Sequence, residues 1–90
     1  MAERAVQVVV TGRVQGVGFR WSAADHADSL GVNGWVRNLY DGSVEAWIEG
    51  DDDKVAQMIE WMREGPGWAS VDTYQVSEQS PSGINGFRVR

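Results

Sequence analysis

Two strand-like segments joined by Leu39-Tyr40-Asp41-Gly42 constrain the fold of this chain more than any other feature. Asp-Gly between extended runs marks a hairpin, because glycine accepts the positive φ that a tight turn needs. In the run after the turn, Val44, Ala46 and Ile48 alternate with Glu45, Trp47 and Glu49. A period of two puts the first set on one face and the second on the other. The hairpin, residues 32–38 against 43–49, therefore has one buried face, and an isolated hairpin cannot bury it alone.

Two helical segments can supply the cover. Between Arg20 and Leu30 the apolar residues Ala23, Ala24, Ala27 and Leu30 recur at helical spacing, with Asp25, Asp28 and Ser29 on the outer side and Gly31 as a stop. Val55, Met58, Ile59 and Met62 mark a second amphipathic helix that ends before Gly65-Pro66-Gly67. Asp51-Asp52-Asp53 reads as its N-cap and first turn; consecutive side chains diverge, and no calcium-loop pattern follows. Residues 5–11, rich in β-branched side chains, make a strand before the first helix. Residues 69–77 make another, and Gly86 to Arg90 a short last one.

The order is β-α-β-β-α-β with a short final strand. It predicts an α+β, ferredoxin-like two-layer sandwich: an antiparallel sheet covered by two helices on one face. Ninety residues leave room for one core, so residues 1–90 are read as a single domain. In that topology the first two strands run parallel with the third between them. The loop after strand 1 and the end of strand 2 then share one edge, two strand spacings or about 10 Å apart.

Charge narrows the function. The formal net charge is −5, which disfavours DNA and RNA backbones and also repels a free phosphate dianion. A phosphate site here must be built locally, from arginine and backbone N–H groups. There is no cysteine, hence no disulfide, thiolate nucleophile or cysteine-based zinc site. Met1 to Ala5 lacks the apolar stretch of a signal peptide, and no apolar run is long enough to cross a bilayer. The expectation is a cytoplasmic protein with neither a membrane nor a nucleic-acid partner.

The segment Gly12-Arg13-Val14-Gln15-Gly16-Val17-Gly18-Phe19-Arg20 links the first strand to the first helix. Its glycines permit close backbone approach, so successive N–H groups can line one concavity that opens into a helix N-terminus. Arg20 adds a full charge in a fork that matches two phosphate oxygens. The nucleotide-binding Gly-Lys-Ser/Thr ending is missing, and the glycines lack dinucleotide spacing, so a lone phosphoryl group is the better-sized ligand. On spacing alone the segment is equally a flexible strand-to-helix connection carrying an incidental arginine. Asn38, at the end of the second strand, comes near this loop by topology. A carboxamide donates and accepts without titrating, so it can hold a water in line with phosphorus. The commoner job for an asparagine beside a turn is to satisfy hairpin backbone groups, and residue chemistry by itself favours that job.

Residues Val10 to Arg20 resemble the first acylphosphatase signature at every constrained position. Gly34-Trp35-Val36-Arg37-Asn38, followed by Gly42, Val44 and Gly50, resembles the second, and Phe87-Arg88-Val89-Arg90 is similar to the final strand of that family. The resemblance covers nearly the whole chain. It implies that Arg20 is the phosphate-binding catalytic residue and Asn38 the water-positioning one. It implies too that N–H groups of Gln15, Gly16, Val17, Gly18 and Phe19 complete the cradle. The substrate would be a small-molecule acyl phosphate, cleaved to a carboxylate and inorganic phosphate by a monomer using no cofactor and no metal. A carboxylate leaves readily, so no general acid is required.

Other features have more ordinary readings. His26, the only histidine, has no partner ligands and reads as a surface residue; the serines show no His-Asp arrangement. Trp35 and Trp47 are expected opposite one another on the outer face of the hairpin. Trp61 and Trp68 are expected to cover the core, and Trp21 either to wall the pocket or to pack the helix. A non-catalytic anion-binding or regulatory module could share the architecture. An RNA-recognition module would need aromatics on the first strand and a favourable charge, and has neither.

Overall fold

A computed structural model describes residues 3–90. The hairpin is its centre: β2 (Asn33–Asn38) pairs antiparallel with β3 (Val44–Asp51), Trp35 facing Trp47 and Asn38 facing Val44. The turn is held by Asp41, whose Oδ1 accepts from the Ser43 N–H at 2.9 Å and from the Ser43 hydroxyl. On the other side of β3 lies β1 (Glu3–Arg13), also antiparallel, with Val10 opposite Val44. β4 (Ser70–Gln79) pairs with β1, and β5 (Phe87–Val89) with β2, giving the order β4-β1-β3-β2-β5.

β1 and β2 are thus parallel with β3 between them, the ferredoxin-like arrangement expected. The sheet is antiparallel except for its last pair, because β5 runs parallel to β2. The chain reaches that edge by crossing from β4, at the opposite edge, through residues 80–86. Glu49, whose side chain leaves β3 on the face away from the helices, ties this strap down. Its carboxylate accepts from the Ser82 N–H (2.9 Å), the Ser82 hydroxyl (2.9 Å), the Gly83 N–H (2.7 Å) and the Trp47 indole (2.9 Å).

α1 (Phe19–Leu30) and α2 (Asp52–Glu64) cover the other face. Val6, Val8 and Val10 of β1 and Val44, Ala46 and Ile48 of β3 meet Phe19, Ala23, Ala27, Val55, Met58 and Met62, all fully buried. Phe19, Ala23 and Ala27 lie four residues apart and form the buried stripe of α1. Phe19 meets the Trp61 ring at 5.4 Å between centroids; burying a side chain of this size contributes about 2–3 kcal/mol. His26 stacks on the same indole at 5.4 Å and is half-buried rather than on the open surface.

Details of the tryptophans and of the α2 cap complete the comparison with expectation. Trp61 covers the core, but Trp68 is 81% exposed. The Ala69 N–H bonds Pro66 O at 2.9 Å, and this turn sends Ala69 against the core and its neighbour Trp68 outward. Trp21 is 66% exposed and so does not pack into the core, since two residues beyond Phe19 lies on the far side of a helix. Asp51 occupies the N-cap of α2 but makes no side-chain cap hydrogen bond; the acidic first turn, Asp52 and Asp53, acts through the helix dipole. Asp52 also faces Arg4 at 3.7 Å.

Candidate active site

The register of β1 against β4 shifts between Thr11 and Gly12, a bulge that turns the strand just before the loop. Residues 14–18 then cross to α1. Gly16 and Gly18 take φ of 73° and 78°, left-handed values that side chains with a Cβ adopt only at a cost. Val14 is buried and anchors the loop from beneath. Its N–H bonds Gly12 O at 3.1 Å, and the next bonded donor along the chain is the Ser22 N–H, on Gly18 O at 3.0 Å. Among the described residues, the N–H groups between them, Gln15 to Trp21, meet no acceptor. The first turn of any helix leaves such donors free. Here four loop residues extend the set, so an unbroken run of donors borders the N-terminus of α1.

Arg20 sits in that first turn. Its Nη1 donates to Arg90 O at 2.9 Å, and the Arg90 N–H donates to Val36 O at 2.9 Å. The guanidinium therefore stands beside the last residues of β2, the strand that ends at Asn38. Asn38 shares a row with Val44 and Val10, which puts it two strand spacings, about 10 Å, from Val10 of β1. Its side chain is exposed and makes no hydrogen bond among the described residues. The hairpin does not need it: Asp41 holds the turn, and the Leu39 N–H bonds Ser43 O at 2.9 Å.

The side chain of Gln15 joins the two halves. Its Nε2 donates to Leu39 O at 2.8 Å and to Ser43 O at 2.9 Å, fastening the loop to the β2–β3 turn. The loop, Arg20 and the Asn38 end of β2 thus lie at one end of the sheet. Two contributors were not foreseen: the Gln15 carboxamide and the backbone of Arg90. The first has no periodic signature. The second depends on which strand accepts β5, which a three-residue strand does not announce.

A groove elsewhere, across the two helices, is lined by His26, Ala56, Gln57, Glu60, Trp61 and Glu64. It holds two acids and no cation, and so is unsuited to a phosphoryl group.

The acylphosphatase family model matches residues 6–89. An acylphosphatase of Thermococcus kodakarensis is 54% identical over 80 residues, 89% of this chain and 88% of that protein. The structure of an acylphosphatase from Coxiella burnetii superposes with a TM-score of 0.93 at 40% identity, covering 98% of this chain and 93% of that one. The crystal structure of acylphosphatase from Bacillus subtilis does so with a TM-score of 0.93 at 34% identity, covering 97% and 98%. The match runs from β1 through β5 and includes the loop, Arg20 and Asn38, so this chain belongs to the acylphosphatase family.

Proposed function

We propose that the chain hydrolyses acyl phosphates, with Arg20 and the N–H groups of Gln15 to Phe19 binding the phosphoryl group and Asn38 orienting the attacking water. The observation that carries this reading is the run of free N–H donors at the N-terminus of α1, with Arg20 in its first turn. Such a cradle neutralises a small tetrahedral anion inside a protein of net charge −5. The Asn38 carboxamide, exposed and unengaged at the end of β2, is free to accept a hydrogen bond from water and aim its lone pair at phosphorus.

In the reaction the water oxygen bonds to phosphorus as the bond from phosphorus to the acyl oxygen breaks. The electron pair leaves with the carboxylate, and the surplus water proton passes to solvent. The transition state is loose, so positioning and charge stabilisation carry most of the acceleration. A carboxylate leaving group needs no proton, in keeping with a site that offers no acid. Every group required comes from one chain, which supports a monomer acting without cofactor or metal. The absence of cysteine supports work in the cytoplasm.

The test is hydrolysis of a simple aryl acyl phosphate by wild type, Asn38→Ala and Asn38→Asp, with inhibition by inorganic phosphate measured in parallel. Asn38→Ala lowers turnover about a hundredfold and leaves phosphate inhibition nearly intact. Asn38→Asp fails as well, because a carboxylate repels the phosphoryl dianion. A folded Asn38→Ala protein with normal turnover would remove Asn38 from the mechanism.

A further inference from the structure

We infer that the side chain of Gln15 is a positioning residue: a neutral two-pronged clamp that sets the distance between the phosphate-binding loop and Asn38. The inference rests on the roles proposed above for the loop and Asn38, and adds what holds them in register.

The loop and the β2–β3 turn belong to different parts of the chain, and no strand pairing joins residues 14–18 to residues 39–43. Gln15 supplies the missing connection. One carboxamide nitrogen carries two hydrogens about 120° apart, and here both are used, on Leu39 O at 2.8 Å and on Ser43 O at 2.9 Å. Those oxygens are the two that already close the turn. Leu39 O accepts from the Gly42 N–H at 3.2 Å, and Ser43 O from the Leu39 N–H at 2.9 Å. With Gln15 in place each carbonyl accepts twice, so the turn is braced from inside and from the loop together. Leu39 follows Asn38 directly, so any drift of Leu39 is passed to the carboxamide that holds the water.

The chemistry of the clamp is narrow. Glutamate would set a carboxylate against two carbonyl oxygens, and methionine has the length but no donors. The Gln15 backbone N–H remains free to point into the cradle, so one residue serves binding through its main chain and alignment through its side chain. A misplacement of about 1 Å can cost about a hundredfold in rate without disturbing ground-state binding.

Gln15→Met, Asn38→Ala and the double variant form the test, each assayed for kcat and KM with an aryl acyl phosphate and for competitive inhibition by inorganic phosphate. Gln15→Met is expected to lower kcat about tenfold or more while the phosphate inhibition constant moves less than about threefold. In the Asn38→Ala background the same change is expected to lower kcat less than about twofold, because the group it aligns is gone. If Asn38→Ala alone leaves kcat intact, the water-positioning role falls, whatever Gln15 does. If Asn38→Ala is impaired but Gln15→Met is harmless, or multiplies fully with it, the clamp falls and the water-positioning role stands. A measurement on wild type guards against a variant that does not fold. The Gln15 side-chain NH2 protons should exchange with solvent at least about tenfold more slowly than those of Gln57 and Gln79, which are exposed. Equal exchange would overturn the clamp.

Discussion

Replacing Glu49 by glutamine should cost stability in a way that depends on pH, and the structure fixes both the size and the window. Burial is the largest single influence on this carboxyl and raises its pKa. The hydrogen bonds from the Ser82 N–H, the Trp47 indole, the Gly83 N–H and the Ser82 hydroxyl together outweigh burial, and hold it down at about 2 against an ordinary 4.5. A drop of that size corresponds to about 3 kcal/mol of folding free energy at neutral pH, trimmed to about 2–3 kcal/mol because a single strand of chain is all that covers the group. A pKa lowered by folding stabilises above the unfolded value. The contribution is therefore full at pH 7, declines as pH falls below about 4.5, and is gone below about 2. By pH 3 roughly 1 kcal/mol remains. Urea unfolding followed by tryptophan fluorescence, on wild type and Glu49→Gln at pH 7 and pH 3, should show a gap of about 2–3 kcal/mol narrowing to about 1 kcal/mol. Asp41 and Glu78 also have lowered pKa values, but they are present in both proteins and cancel in the difference. A gap below about 0.5 kcal/mol at pH 7, or one that does not narrow, would refute the reasoning. Glu49 lies five residues along β3 from Val44, about 17 Å from the candidate site, so turnover at pH 7 should not change.

Two further outcomes are expected. Arg20→Lys keeps a charge but loses the fork, so it should weaken inhibition by inorganic phosphate as well as turnover; an active lysine variant would show that charge alone suffices. At Gly34, which has φ of 142°, an added Cβ would stand 1.7 Å from the carbonyl oxygen of Trp47. Gly34→Ala should therefore force β2 off β3 and lower stability by at least about 3 kcal/mol in urea unfolding, and a loss under about 1 kcal/mol would contradict the backbone described.

The parts of the fold legible in the sequence are those governed by a period. Val44, Ala46 and Ile48 announced the inner face of β3, and all are fully buried. Val55, Met58 and Met62 did the same for α2, and Asp41-Gly42 fixed the turn between β2 and β3. From these the parallel placement of β1 and β2 follows, and with it the approach of the loop to Asn38. What remained hidden is contact between segments that have no period. Residues 80–86 carry no strand or helix signal, so nothing marked them as the strap that buries Glu49, a residue whose alternation says only that it points away from the helices. Trp68 misled for a related reason. Bulk suggests burial, but a turn at Pro66 decides which of two adjacent side chains faces inward.

The two ends of β3 are each fastened to an irregular segment by one side chain, and the choice of side chain follows from what lies nearby. At the Glu49 end the strap offers two backbone N–H groups and a hydroxyl, donors that an ionised carboxylate satisfies best. At the Val44 end the turn offers two carbonyl oxygens, so the fastening must donate, and Gln15 does. Lysine could donate too, but only as a mobile point charge with no fixed plane. Aspartate or glutamate there would be wrong on two counts, facing carbonyl oxygens and facing the substrate. A single negative charge about 10 Å from a phosphoryl dianion costs about 1–2 kcal/mol at an effective dielectric between about 30 and 80. In a chain already at −5, a site that must attract an anion gains from a neutral clamp between loop and turn, with Arg20 supplying the charge. The fastening beside the site therefore has no titration of its own.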